Sequence, residues 1–555
     1  MLHALVIFAL AQFPQPPAQQ QQAAPPPGTA TIHGHIYAAD SGQPLRKAQV
    51  RITANEIREN RLATTDANGA YEFTEVRPGR YNVSASKGSF VTMSYGQQRP
   101  TDAGRPIEIS DRQTVDRLDL SLPRGGVIVG RIVDDFGEPL PDVTVSVQRY
   151  QFVQGRRTLV PEGRQSSTND IGEFRVFGVP PGQYYLLATW RNFNAPAPNV
   201  NLNAPSPSER VAFPTTYFPG TTNVGDAQRI TLAAGQQVDE VVMVMRATKA
   251  ARITGTVTGS DGKPMNPAAV MVTQASGFAF NFIFGGQVRP DGTFIVNGLV
   301  PGDYRLIAQR AAPSPDGPEF ASTTISVNGE DLADVHLMAS RPSAVRGRVI
   351  VDPAAAQQLP PVVMLALFPV NLNGGIPVPP PPPARMADDF TFETKAPAER
   401  MRFTLGGMGP SPAGWAIRAV RLNGIDVTDG IDFKPNEEVS GLEIELTNKV
   451  AIVSGLVTND RGQPAQQYTA IVFAQDKDKW TPGTRYQGIG RADQDGRFKI
   501  SGLPSGDYYV IAVDRVEQGQ WTDPEYLESI RPNAKSFSLL DGETRTVDLK
   551  LTSGT

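Results

Sequence analysis

The chain of 555 residues offers few side chains that could do chemistry. Its histidines are His3, His33, His35 and His336, and none begins the His-x-x-Glu spacing of a zinc peptidase. His33 and His35 alternate on one strand face, but two ligands alone make a weak metal site. Asp493-Gln494-Asp495-Gly496 opens like a calcium loop, yet the twelfth position from Asp493 is Pro504 where a bidentate Glu is required. Gly409-Pro410-Ser411-Pro412-Ala413 has two prolines and a final alanine that spoil a nucleophile elbow. There is no phosphate loop, no dinucleotide fingerprint and no cysteine, which removes disulfides and thiolate chemistry. The reading is therefore of a protein that is not an enzyme and takes no cofactor and no metal.

What remains is recognition by aromatic side chains on loops, where rings can stack on sugars or anchor a partner. Such residues fall between the second strand and the hairpin turn of a repeated unit. They are Tyr150 and Phe152 in the second unit, Phe278, Phe280, Phe282 and Phe284 in the third, and Trp480 and Tyr486 in the fifth. The candidate ligand-binding set is Trp480, Tyr486, Tyr150, Phe152, Phe280 and Phe282. The alternative is that these rings cap their own core or pack on the next domain.

The unit that positions them recurs about five times, at a spacing of roughly a hundred residues, which matches a small domain rather than a solenoid repeat. It opens on an apolar-x-Gly-x-apolar strand: Ile32-Gly34-Ile36, Ile128-Gly130-Ile132, Ile253-Gly255-Val257, Val345-Gly347-Val349 and Val453-Gly455-Val457. Period-two alternation of β-branched residues marks a strand with one buried face. A glycine on that face predicts a bulky side chain from the opposing sheet crossing over it. A Gly-x-Pro turn follows in four units, at Gly42/Pro44, Gly137/Pro139, Gly262/Pro264 and Gly462/Pro464. Next come Asp/Asn-Gly hairpin signals such as Asp66-Ala67-Asn68-Gly69 and Asn169-Asp170-Ile171-Gly172. The unit then shows Pro-Gly-x-Tyr, ending on Tyr81, Tyr184 and Tyr304, with the variant Pro504-Ser505-Gly506-Asp507-Tyr508. A tyrosine at such a corner buries its ring and bonds its hydroxyl to nearby backbone. The fourth unit lacks both the glycine and the tyrosine, reading Pro397-Ala398-Glu399-Arg400-Met401.

These motifs together resemble the carboxypeptidase regulatory-like domain, a prealbumin-like sandwich of the wider CnaB-like or carbohydrate-binding-like group. The resemblance is strong in units 1, 2, 3 and 5 and weak in unit 4. It implies an extracytoplasmic binding or accessory module of a bacterial protein, without peptidase activity. Some CnaB-like domains form Lys–Asn cross-links, and Lys449 is a candidate on that ground.

The expected architecture is all-β, a string of five Ig-like or prealbumin-like β-sandwich domains at 29–123, 124–247, 248–339, 340–448 and 449–555. Short linkers predict neighbours that touch and form a semi-rigid rod. Residues 1–11 read as a signal peptide, with an apolar run from Ala4 to Leu10 and Ala9-Leu10-Ala11 as the cleavage site. Residues 12–28 read as a flexible linker rich in Pro and Gln. A net charge of −4 supplies no basic field for nucleic acid, and no later run is apolar enough to span a bilayer. The expected partner is a polysaccharide or a cell-envelope protein.

Overall fold

The computed structural model describes residues 27–54, 57, 59–100, 102, 104–153, 155–190, 211–274, 282–310, 319–370, 381–406, 414–481 and 483–554. In the first domain β1 (Ala30–Ala38), β2 (Gln49–Ala54), β3 (Glu59–Thr64), β4 (Ala70–Val76) and β5 (Gly79–Ser86) make most of two facing sheets. β1 pairs antiparallel with β4 and parallel with the closing strands Thr114–Val115 and Leu120–Leu122. β2 lies between β3 and β5 in the other sheet. Alternation does the rest: β1 buries Ala30, Ile32, Gly34, Ile36 and Ala38 and turns the residues between them outward.

The same plan returns four times. Gly126–Val133, Ala251–Thr258, Ser343–Val351 and Ile452–Thr458 each pair antiparallel with a hairpin strand and parallel with the last strand of their own unit. The buried apolar residues fall into separate clusters, one for each of these units, with an additional cluster in the fifth.

The strand glycines explain the motif that opens each unit. Gly130 lies opposite Phe174 in register, and a Cβ there would sit 2.7 Å from Phe174 Cζ and 2.2 Å from the Val241 carbonyl oxygen. The same close approach repeats at Gly34 under Tyr71, Gly255 under Phe294, Gly347 under Phe392 and Gly455 under Phe498. The crossing ring thus comes from the paired strand of the same sheet, not from the opposing sheet as the pattern had suggested. The parallel neighbour adds a backbone carbonyl, which a pairing irregularity in that ladder turns toward the glycine.

The turn motifs interlock. Each Gly-x-Pro segment bridges back to the first strand, as at Val133 and Pro139. The hairpin glycine packs on that proline: a Cβ on Gly172 would lie 3.1 Å from Pro139 Cβ. Asp493 Oδ1 accepts the backbone N–H groups of Asp495 (2.9 Å) and Arg497 (2.8 Å), so its carboxylate is committed to the turn.

All four corner tyrosines donate to the carbonyl four residues earlier. Tyr81 reaches Arg77 at 2.9 Å, Tyr184 reaches Pro180 at 2.7 Å, Tyr304 reaches Val300 at 2.9 Å and Tyr508 reaches Pro504 at 2.8 Å. In the fourth unit the fully buried Met401 takes the tyrosine's place in the strand Arg400–Leu405, and Phe390 holds positive φ at the turn. This unit also gains an Asn423-Gly424 hairpin, which adds Ala416–Leu422 antiparallel to Glu438–Thr447.

Neighbouring domains touch. Gly125 N–H donates to Ser89 O between the first and second domains. Arg305 meets Glu399 between the third and fourth, and Arg485 meets Asp429 between the fourth and fifth. The fifth domain also reaches the first and second, so the chain folds back on itself and is not the extended rod that short linkers suggested. Arg105 donates to the side chain and carbonyl of Gln466, Gln467 to Gly96 O, and Gly155 N–H to Thr522 Oγ1 at 2.8 Å.

Candidate functional site

The aromatic candidates are distributed over the second, third and fifth domains. Tyr150 stands on the long hairpin of Val143–Val153 and Arg156–Ser167, beyond the part of the strand that faces the core. Its half-buried ring meets Tyr185 edge-on at 5.7 Å and carries the Arg157 guanidinium 5.5 Å above it. Phe152, also half-buried, lies two residues further along the same strand. Its carbonyl oxygen would be 2.0 Å from a Cβ on Gly519 of the fifth domain, so that glycine permits the contact. Phe152 is thus part of an interface within the chain.

Trp480 is 8% exposed. Its indole N–H donates to Ala474 O at 2.8 Å, and its ring packs edge-on against Phe473 at 5.5 Å. Around it lie Ile511, Val513, Tyr526, Leu527 and Ile530, the last three from the short helix Pro524–Ile530. This second core of the fifth domain covers the outer face of the strand Thr469–Ala474, which is buried at every position. A ring so enclosed has no open face for a sugar. The sequence held a signal for this: Thr469–Ala474 is uniformly apolar after its first residue, the pattern of a strand covered on both faces.

Tyr486 is half-buried, with Lys479 Nζ 4.4 Å and the Arg485 guanidinium 4.9 Å from its ring. Burial raises its hydroxyl pKa, and Arg485, which donates to that hydroxyl at 2.9 Å, opposes the shift. Arg485 in turn ties the loop to the fourth domain through Asp429 and the Arg418 carbonyl. Phe282 begins the strand Phe282–Gln287, while Phe280 and Phe278 lie outside the described residues.

His33 and His35 do share the outer face of β1, each beside one carboxylate, Glu72 and Asp119 respectively. Among the described residues no group of three or more ligand side chains could hold a metal ion. Lys449 is exposed, away from the buried interior in which an internal cross-link would be shielded.

Clefts open to solvent lie at the joints between domains. One of about 610 Å³ lies between the first and fifth domains, lined by Tyr95, Gln97, Gln98, Arg105, Gln466 and Gln467 among others. A second, of about 350 Å³, lies between the first and second domains. Neither was visible in the sequence, because the residues that meet there are separated by tens to hundreds of positions.

Residues 31–123 match the family model of the carboxypeptidase regulatory-like domain. The match covers the first domain, and the other four repeat its strand order and its glycine-aromatic pair. No curated protein matches the chain. Similar solved structures include the streptococcal ancillary pilin, at 16% identity and a TM-score of 0.19, covering 56% of this chain and 98% of that one. The minor pilin GBS52 of Streptococcus agalactiae has 11% identity and a TM-score of 0.20, covering 39% and 96%. The Bacillus anthracis TIE protein has 11% identity and a TM-score of 0.16, covering 75% and 68%. Identities and scores this low carry nothing about ligand or partner. No described helix is long and apolar enough to cross a membrane.

Proposed function

We propose that this chain is a non-enzymatic, extracytoplasmic binding scaffold of tandem β-sandwich domains whose ligand is a carbohydrate chain. The observation that carries the reading is the bonding of the joints. The Gly125 N–H bond to Ser89 O ties the first domain to the second, Val211–Ala212 pairs with Thr248–Lys249 at the next joint, and ion pairs tie the third to the fourth and the fourth to the fifth. Domains held this way present their surfaces at fixed spacing, which suits a repeating polymer better than a small solute. Tyr150, Tyr486, Phe280 and Phe282 are the aromatic contacts of this proposal.

A glycan array probed with the full chain tests the carbohydrate part. Binding that weakens in Tyr150→Ala or Tyr486→Ala supports it; a blank array removes it. The second reading is a spacer or accessory component of a cell-envelope assembly. Docking of the fifth domain on the first favours it, since a closed chain serves to hold partners apart. Stable co-purification with an envelope protein, with no glycan bound, selects that reading.

A further inference from the structure

The cleft between the first two domains has a composition that neither domain has alone. Lys47, Lys87 and Arg164 line it, and no acidic residue does. Gln49, Ser86, Ser89 and Thr92 stand beside them. Among the described residues, none of these four side chains has a hydrogen-bond partner within the protein, and neither Lys47 nor Arg164 has a carboxylate partner. Lys87 Nζ donates to the Arg46 carbonyl at 2.6 Å, which holds one ammonium at the rim.

The floor is rigid. Phe90 and Phe177 lie on the two sides, with the Arg124 guanidinium over Phe90 at 5.4 Å and Arg164 and Arg175 over Phe177 at 5.7 and 5.5 Å. An arginine stacked on a ring is held flat with its donor edge free, the arrangement that receives a carboxylate through two parallel bonds. Gly178 of the second domain lies against the first, where its Cβ would be 4.0 Å from the Phe90 carbonyl oxygen, and Gly125 N–H donates to Ser89 O across the same joint. The cleft therefore brings Lys47 and Lys87 of the first domain together with Arg164 of the second.

The net charge of the chain is −4, so this is a local device and not part of a general basic field. A bare anion would use the cations and leave the hydroxyl and amide groups idle. A neutral sugar would use the hydroxyls and leave the like charges facing one another. A carboxylate-bearing sugar uses both sets, and about 350 Å³ is within the range of small-ligand sites.

We infer that the cleft between the first and second domains binds an acidic carbohydrate, with Lys47, Lys87 and Arg164 pairing its carboxylates and Gln49, Ser86, Ser89 and Thr92 bonding its hydroxyls. This rests on the scaffold reading and names the ligand class.

The test is calorimetric titration of the full chain with hexagalacturonate, maltohexaose and inorganic phosphate. The expected result is binding of hexagalacturonate that weakens as salt rises, with no comparable binding of the other two. The double variant Lys47→Ala/Arg164→Ala alters two exposed side chains and leaves both cores intact. It should weaken hexagalacturonate about tenfold or more at an unchanged melting temperature. Equal binding of phosphate, equal binding of maltohexaose, no binding of hexagalacturonate, or an unaffected double variant each overturns the inference. Glycan-array binding to a neutral polymer that the double variant retains would leave the scaffold standing while removing this site.

Discussion

Phe174 lies across Gly130 so closely that no side chain fits between them. The aromatic ring supplies the apolar cover that the glycine lacks, and the glycine supplies the space that the ring requires. Both residues sit in adjacent strands of one sheet, so the pair also fixes register.

It follows that Gly130→Ala should destabilise the second domain by about 3 kcal/mol, the upper range for overpacking a core. Gly137→Ala has open space around it and meets only the cost of a left-handed backbone (φ +84°), about 1–2 kcal/mol. The double variant Gly130→Ala/Phe174→Leu should not recover, because the Val241 carbonyl oxygen would still lie 2.2 Å from the new methyl group. Urea unfolding of the three variants checks the order; recovery in the double variant would place the constraint in the ring alone.

The corner tyrosines predict a response to alkali. Burial, with Glu162 adding to it, pushes the Tyr184 phenol up to about 12, against about 10 in an unfolded chain. Between those values the unfolded chain ionises and the folded one does not. The stabilisation is therefore complete below pH ~10 and is lost as pH rises toward ~12. Tyr304 and Tyr508 shift the same way from burial. Tyr184→Phe should flatten the alkaline fall in stability of the second domain and cost about 1 kcal/mol at neutral pH through the lost bond to Pro180. Chemical denaturation at pH 7 and 10.5 reads both effects.

Fold and site differed in how legible they were. The five strand-Gly-strand signatures, the hairpin turns and the tyrosine corners are local, each set by residues within a few positions of one another, and the β-sandwich plan could be read from them. Even the worn fourth unit keeps Gly347 beneath Phe392. The source of the covering ring was misplaced because alternation gives the face of a strand and not which neighbour leans over it. The aromatic candidates were harder. Trp480 lies in a stretch that reads as a surface loop, and only the helix Pro524–Ile530, over forty residues later, encloses it. The contact of Arg105 with Gln466 joins residues 361 positions apart, which no local pattern signals.

That long-range contact should control the shape of the molecule. Gln466 is exposed and bonded to Arg105, so Gln466→Arg places two cations together without disturbing a core. Small-angle scattering should then show a larger maximum dimension than the parent, and more so at low salt, where the repulsion is unscreened. Identical scattering curves would mean that the first and fifth domains do not rest on one another in solution.

Removing a buried tryptophan leaves a cavity lined by Phe473, Leu527 and Ile530, so Trp480→Ala should destabilise the fifth domain by about 3–5 kcal/mol. Loss of ligand binding in that variant would therefore report unfolding and not a missing contact. Conservative replacement separates the two: Trp480→Phe keeps most of the packing but drops the donor to Ala474 O. It should fold with a moderately lower melting temperature and bind every ligand as the parent does. Differential scanning calorimetry paired with a binding titration decides it, and a folded Trp480→Phe that no longer binds would return the indole to the ligand site.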